Sequence, residues 1–555
     1  MNKTIKHIAI LIIAILAINF ISSKVYKRFD LTTDKRYTLS QSAIQIIEDI
    51  ESPIIIDVFL EGDDFPSEFR RLKNETKQLL EEFAAINNNI VFNFINPLED
   101  ELTRERNIQQ LTQRGLTPMQ LSVQESGKST QAVIFPWALA SYNSQTVTIP
   151  LVKNKIGASQ QELVSNSVQH LEYAFADGFS KLTQPKRRKI AILKGNKQLE
   201  DKYIANFVQK LGTYYYIAPF TLDSVTTSPQ KTLKAINNFD LIISAKPTEA
   251  FSEAEKLVLD QYTMNGGKSL WLIDAVAMEK DSLYNASGTN YAITRDLNLT
   301  DFFFKYGVRI NPYMVSTLYS APITLAMGEG SQSQFQHLKW PYSPLAGSSS
   351  KHPIVNNLNL VRFNFANQID TLKNSLKKTI LLETAPLTKL EGTPRAVSLE
   401  LVTKEQNPQS FNKGKQTLAV LLEGKFNSVY SNRIKPFNLT EVKNKSVETK
   451  MIVIADGDVI KNDVVRNKPQ ELGFDRWTGQ TYGNKEFLLN AVNYLLDDNG
   501  LINIRTKEIA VAFLNQQKIA AQKTKWQLIN ILLPLVLLAI FGFTFNYLRK
   551  KKYAS

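Results

Sequence analysis

The sequence predicts an α/β protein in which two α/β regions lie between an N-terminal and a C-terminal transmembrane helix. Three observations predict it. Uncharged apolar runs stand at 8–23 and 527–548. Between them, short β-branched runs alternate with amphipathic stretches in the strand–helix rhythm of open sheets. The basic residues collect beside the apolar runs: five in Met1–Arg28 and seven in Ile509–Ser555, with no acid in either, account for twelve of the +14 net charges.

Residues 1–28 form the expected N-terminal anchor. Ile8–Ser23 (IAILIIAILAINFISS) reaches about 24 Å at helical rise, between a signal-peptide core and a full span. No clear small-x-small cleavage site follows, so an uncleaved anchor is the reading. At the other end, 509–525 reads as a juxtamembrane segment, 526–548 as a transmembrane helix and 549–555 as a cytoplasmic tail. Gln527–Leu548 holds no charge, and about 20 apolar residues match a hydrocarbon core roughly 30 Å thick. Trp526 and Tyr547 stand where interfacial aromatics anchor a span, and Arg549-Lys550-Lys551-Lys552 follows as a positive-inside signal. Both termini are then cytoplasmic and the bulk of the chain lies across the membrane.

Composition narrows the function classes. With 43% apolar and 10% aromatic residues the chain can fill the cores of two or three domains. Its basicity belongs to the membrane flanks, where it meets anionic lipid headgroups, and argues against nucleic acid as a partner. Cysteine is absent, which excludes disulfides, thiolate zinc, iron–sulfur clusters and a cysteine nucleophile.

The first α/β module is expected over 29–183. It opens on a polar stem, Asp30-Leu31-Thr32-Thr33-Asp34-Lys35-Arg36-Tyr37-Thr38-Leu39-Ser40, whose last residue caps a helix carrying Ala43, Ile44, Ile46, Ile47 and Ile50. This string, just after an N-terminal anchor, resembles the stem of the GldG family, the auxiliary components of gliding-motility ABC transporters. Pro53–Leu60, the helical stripe of Ser67–Ile86, and Ile90–Ile95 make a βαβ unit with parallel strands. A helix over Glu101–Arg114 follows, then strands near Met119–Gln124, Gln131–Trp137 and Gln145–Ile149, then a helix over Gln160–Leu182. The order βαβαβββα suits a thioredoxin-like sheet, and without cysteine it is a scaffold or binding module rather than a redox enzyme.

Gln184-Pro185-Lys186-Arg187-Arg188 reads as a joint, and 184–508 as a larger central α/β domain. Strands are expected at Lys189–Leu193, Asp240–Ser244 and Lys268–Asp274, with helices over Leu199–Leu211 and Ser252–Met264. Ser252 and Glu255 form a capping box. The helix, Gly266-Gly267, apolar-strand element resembles glutamine-amidotransferase-like and related flavodoxin-like folds, whose cysteine nucleophile this chain lacks. Asn298–Gly307 reads as a helix closed by glycine, and Gly328–Lys351 as an exposed loop. Leu418–Glu423 and Lys450–Ala455 are later strands, and Gly483–Leu496 is an amphipathic helix.

Gly266-Gly267-Lys268-Ser269 and Gly127-Lys128-Ser129-Thr130 mimic the end of a phosphate loop. Their required first glycine falls on Tyr262 and Ser122, so neither is a nucleotide site. Candidate ligand or structural positions are His352, Asp456 and Asp458. His352 precedes Pro353 and has no second ligand at metal spacing. Asp456 and Asp458 follow an apolar strand, where α/β folds put ligand contacts and where an Asx turn is the commoner occupant. No cofactor is expected.

The His352-Pro353-Ile354 string, Glu423-Gly424-Lys425-Phe426, the strand with Asp456-Gly457-Asp458, and Asn490-Ala491-Val492-Asn493-Tyr494-Leu495 are also similar to GldG-family elements in the same order. The resemblance implies a non-enzymatic accessory subunit of an ABC-type complex in the bacterial inner membrane. It would serve gliding motility and work with a permease and a separate ATPase, with room for a dimer within the complex. Two other classes compete: a periplasmic glycan- or lipid-binding receptor with a cleaved leader, and a hydrolase, although neither a Gly-x-Ser-x-Gly elbow nor a metal-spaced histidine cluster is present.

Overall fold

A strand buried on both faces reads as a continuous apolar run, and five such runs build the main sheet. The computed structural model describes residues 38–62, 65–125, 128–328, 333–497, 500–507 and 516–553, with shorter pieces at 7, 11–16, 18–19, 30, 32 and 35. Two compact units result, Met1–Glu508 and Ile509–Ser555.

In the first module, α1 (Gln41–Glu48) is capped by Ser40, whose side chain accepts from the Ala43 amide. There follow β1 (Ile54–Val58), α2 (Ser67–Ile86), β2 (Ile90–Phe94), α3 (Arg104–Gln113), β3 (Met119–Glu125), β4 (Lys128–Ile134), β5 (Trp137–Tyr142), β6 (Gln145–Pro150) and α4 (Gln160–Thr183). The sheet order is β2-β1-β5-β6. Strand β1 is parallel to β2 and antiparallel to β5, and β6 is antiparallel to β5. The run expected as one strand over 131–137 is two, broken at Pro136, which has no amide hydrogen for a ladder. Its first half pairs with β3 as a separate hairpin.

The central region continues with β7 (Lys189–Lys194), α5 (Asp201–Leu211), β8 (Tyr216–Thr221), α6 (Pro229–Ile236), β9 (Leu241–Ala245), α7 (Glu253–Met264) and β10 (Lys268–Leu272). Strands β11 (Lys377–Glu383), β12 (Thr417–Asn427) and β13 (Lys445–Ile454) complete a seven-stranded sheet, and α8 (Asn484–Leu496) covers it. The order is β11-β12-β13-β10-β9-β7-β8. From β13 to β8 all neighbours are parallel, while β12 and β11 are antiparallel additions at one edge. Alternate residues feed the two faces. Ile190, Ile192, Ile243 and Leu272 pack with Phe207 of α5 and Phe487 of α8, whereas Ala191, Leu193, Ile242 and Trp271 pack with Ile236 of α6 and Leu257 of α7.

Between β10 and β13 lies a long insertion of small antiparallel sheets. One of them corrects the expected loop at 328–351: Gln334–Ala346 is a strand pairing with Ser320–Met327, and its Trp340 and Tyr342 are buried against Phe365. The sequence hid it behind Pro341, Pro344 and flanking serines, which deplete the β signal although the buried rings supply the packing.

In the second unit, α9 (Gln516–Tyr553) contains Pro534 and begins within the segment expected as juxtamembrane. Its portion Ala521–Tyr553 is the one helix among the described residues long and apolar enough to cross a membrane. Of the expected N-terminal anchor, residues 11–16 and 18–19 are helical with exposed apolar side chains, and the rest of 8–23 lies outside the described residues. Residues 29, 31, 33, 34, 36 and 37 of the stem also lie outside them.

Candidate functional site

Three parallel strands deliver charge to one edge of the main sheet. Lys246 follows β9, Asp274 follows β10 by two residues, and Asp456 and Asp458 follow β13. Because β9, β10 and β13 are adjacent and parallel, their carboxyl ends coincide, and this is where α/β sheets concentrate ligand contacts. The Lys246 ammonium lies 2.5 Å from Asp458 Oδ1, 2.8 Å from Glu279 Oε1 and 3.5 Å from Asp274 Oδ2. Arg295 approaches Asp274 Oδ2 at 3.4 Å. Lys246 is only 2% exposed and takes a positive φ of 55°. Gly457 makes this approach feasible, since a Cβ there would fall 2.3 Å from Lys246 Cγ.

The electrostatics follow from this crowding. Burial alone would lower the Lys246 ammonium, but Asp458, Asp274 and Glu279 hold it well above its usual range. It therefore stays a cation and is no amine nucleophile. Burial raises the carboxyls of Asp274 and Glu279, with repulsion from Asp458 adding to it. Burial would raise Asp458 too, yet Lys246 and Lys461 keep it below its usual range. Asp456 is fully buried and pushed well up, first by burial and then by Asp458 and Asp274.

Asp456 Oδ1 accepts from the Asp458 amide at 2.7 Å and Oδ2 from the Asn364 amide at 2.5 Å. Its carboxyl thus caps the short helical turn at 457–460 and ties that turn to the insertion. Among the described residues no group of three or more His, Cys, Asp or Glu could hold a metal. At this edge the ammonium of Lys246 stands among the carboxylates where a cation would.

His352 is elsewhere. Its ring packs edge-on to Tyr494 at 4.6 Å, its Nδ1 accepts from the Ile354 amide at 3.4 Å, and burial lowers its pKa to about 4 against the pull of Glu423. Glu423 pairs with Lys450, four residues before the end of β13, so His352 does not join Asp456 and Asp458. The segment it opens is a seam between the first module and the central region. Asn357 Nδ2 donates to the Asn166 carbonyl on α4, and Asn359 Oδ1 accepts from the Ile156 amide. Arg505 donates to the carbonyls of Pro353 and Asn356 and to Glu486 Oε1 at 2.8 Å. Glu486 also pairs with Lys153. Burial lowers Lys153 to about 8, and it would raise Glu486, but Lys153 and Arg505 pull that carboxyl well below its usual range.

A third carboxylate holds both limits of the body. Glu172 of α4 is 3% exposed; its Oε1 accepts from the Ser40 amide at 2.7 Å and its Oε2 from Lys507 Nζ at 2.6 Å. Lys507 Nζ also donates to the Thr38 carbonyl at 2.9 Å.

Beside Asp458 opens a cleft of 640 Å³. The first turn of α5, the 280–284 turn, the 320–346 hairpin and the 458–477 segment form its walls. Lys246, Asp274, Glu279 and these walls were not singled out by the sequence. The readable signal was a charged residue directly after each apolar strand, which marks Lys246 and Asp274 as it marked Asp456.

Gly266-Gly267 lies at the opposite edge, where α7 ends and β10 begins. Gly266 has φ 94°, and a Cβ on Gly267 would strike the Tyr262 ring at 2.3 Å. It is a helix-to-strand turn, not the strand-to-helix turn that cradles phosphate.

Residues 187–491, more than half of the chain, match the family described as an ABC-type uncharacterized transport system. The chain belongs to this family. Membership in the ABC-type transport family supports an accessory role in ABC transport and association with such a complex, and α9 adds membrane association. Residues 33–141 match a domain of unknown function (DUF7088). No curated protein matches the chain. Two solved structures are similar over 56% of the chain: the mmIFT52 N-terminal domain (12% identity, 97% of that chain, TM-score 0.30) and the Cytoplasmic Protein STM3548 from Salmonella typhimurium (11% identity, 99% of that chain, TM-score 0.27).

Proposed function

We propose that this member of the ABC-type transport family is a non-enzymatic, membrane-anchored accessory subunit of a bacterial gliding-motility transporter. Its partners are a polytopic permease and a separate ATPase. Two spans, 8–23 and 526–548, place both termini in the cytoplasm and the α/β body in the periplasm. The observation that carries the accessory, membrane-anchored part is the family match over 187–491 joined to a C-terminal helix able to span a bilayer, and the gliding-motility part rests on the resemblance of the stem and the later strings. The strand order and directions of the two sheets support a thioredoxin-like module and a flavodoxin-like, glutamine-amidotransferase-like domain that act by binding, gating or relay. A lysine held as a cation and a capping aspartate at the carboxyl edge support the non-enzymatic part.

A relay has a physical entry point. A displacement of Ser40 or Lys507 would bear directly on Glu172 of α4, which bonds both. On the same helix Tyr173, the next residue, and His170, two residues before, border the seam, with Arg505 lying 5.1 Å over the Tyr173 ring. Purification in a mild detergent tests the proposal: a polytopic subunit and an ATP-binding subunit should accompany the chain in fixed ratio. Recovery of the chain alone, or a body shielded from protease added outside spheroplasts, overturns it.

A further inference from the structure

An accessory role in transport leaves the 640 Å³ cleft beside Asp458 without a task. Four aromatic rings from four segments line it: Tyr203, Tyr284, Phe335 and Trp477. Tyr284, Phe335 and Trp477 are 54%, 65% and 43% exposed. Phe335 and Trp477 lean on each other, ring centroids 4.9 Å apart, instead of entering a core. Apolar rings that converge on a concavity while still wetted mark a surface kept for a ligand. The cleft volume falls within the range of about 300 to 1,000 Å³ that small-molecule sites occupy.

Charge selects the class of ligand. Four of the five cations bordering the cleft are answered by a contact within the protein, and the fifth, Lys280, adds to the field that lowers Asp458. Arg362 faces Asp475 at 3.8 Å, Lys461 faces Asp281 at 3.8 Å, Lys202 faces Glu200 at 2.8 Å, and Arg476 lies 4.6 Å over the Trp477 ring. A phosphate or nucleotide would have to displace these carboxylates, and a cationic peptide would meet the ammonium groups. An uncharged ligand rich in hydroxyls meets neither obstacle. Ring faces suit the C–H faces of a pyranose, while Asp463, Asn467, Asn364 and Thr324, all lining the cleft, suit its hydroxyls.

The floor is also preformed. Buried Asn462 bonds the Lys202 carbonyl and the Asn206 amide of α5, fixing Tyr203 against the loop that carries Asp458. We propose that this cleft binds a neutral glycan, with Phe335 and Trp477 as its stacking platform.

The test uses the full chain in a detergent without a sugar headgroup and follows tryptophan fluorescence and calorimetric heat. The probes are cellotetraose, maltotetraose, mannotetraose and chitotetraose, with an uncharged proline-rich peptide alongside. At least one tetrasaccharide should bind, and Trp477→Ala and Phe335→Ala should each weaken it by about tenfold, the value of one lost aromatic contact. Phe335 is the more exposed ring, so Phe335→Ala is decisive if Trp477→Ala fails to fold. The proposal is overturned if no tetrasaccharide binds, if binding survives Phe335→Ala, or if the peptide alone binds at the same rings. None of these results depends on the permease or ATPase, so failure here is separable from failure of the transport reading.

Discussion

The seam at Glu486 and the carboxyl edge at Lys246 bury the same kinds of group in opposite proportion. At the seam one carboxylate serves two cations, Lys153 and Arg505. At the edge Lys246 touches three carboxylates, Asp458, Glu279 and Asp274, with Arg295 beside Asp274 and Lys461 beside Glu279 at the margin. The group in the minority is held most firmly in its charged form, so Glu486 is pulled down and Lys246 pushed up. Among the majority, burial lowers Lys153 to about 8 and raises Asp274 and Glu279, while Lys246 keeps Asp458 below its usual range. Each cluster therefore has one residue whose loss strands its neighbours, and the two losses respond to pH with opposite sign.

Glu486→Ala should show the largest effect, because it leaves Lys153 and Arg505 buried without their shared counter-charge. Loss of one partner from a buried pair costs about 3–5 kcal/mol, and the low end applies to the partly exposed Glu486. Chemical denaturation of the body measures it. The deficit should persist on acidification and shrink as pH rises toward 8, because Lys153, at about 8 beside Glu486, loses its proton more readily without it.

Lys246→Met comes next, at about 2 kcal/mol near neutrality, since it sets three carboxylates around an apolar side chain while Arg295 and Lys461 remain beside two of them. Here the deficit should shrink in acid. Without the ammonium the folded carboxylates take up protons more readily than the unfolded chain does, so falling pH favours the folded variant. In the wild type Asp458, depressed in the folded state, gives up its stabilisation as pH falls, while the raised Asp274, Glu279 and Asp456 act in the opposite sense. Two deficits that track pH in the same direction would break the comparison.

A smaller effect belongs to His352. Its folded pKa of about 4 lies below the usual 6.5, so the unfolded state binds more protons between those values and stability declines as pH falls through that window. Discounted for its partial exposure, the decline amounts to about 1–2 kcal/mol. His352→Gln should flatten the stability profile between pH 6.5 and 4. Smallest of all, Asp456→Asn should cost about 1 kcal/mol, one backbone hydrogen bond. The amide keeps an acceptor for the Asp458 N–H but turns a donor toward the Asn364 N–H.

Much of the sheet was legible because its parallel strands are buried on both sides. KIAIL, DLIIS and KSLWL are unbroken apolar words, and the Ser252–Glu255 capping box marks a helix start that the structure reproduces. The hairpin strand 334–346 was not legible, since its prolines and serines mask rings that find their packing only in the insertion. Asp456 and Asp458 could be read as residues after a strand, but their partner Lys246 could not. It lies some two hundred positions earlier and arrives only because β10 separates β9 from β13 in the sheet. The cleft rings share that history, coming from four stretches with no common spacing. The strings around His352 and Asn490 were visible as motifs, whereas their task emerges only in three dimensions, where Asn490 bonds the Ile354 carbonyl and Arg505 bonds Pro353.

The Glu172 contacts make the body a closed handle. Ser40 and Lys507, 467 positions apart, hold the two oxygens of one side chain, and Lys507 also reaches the Thr38 carbonyl, so the chain is closed on itself through a helix flank rather than through a sheet rim. Loss of either bond leaves the other in place, so the two distant stretches stay joined through Glu172.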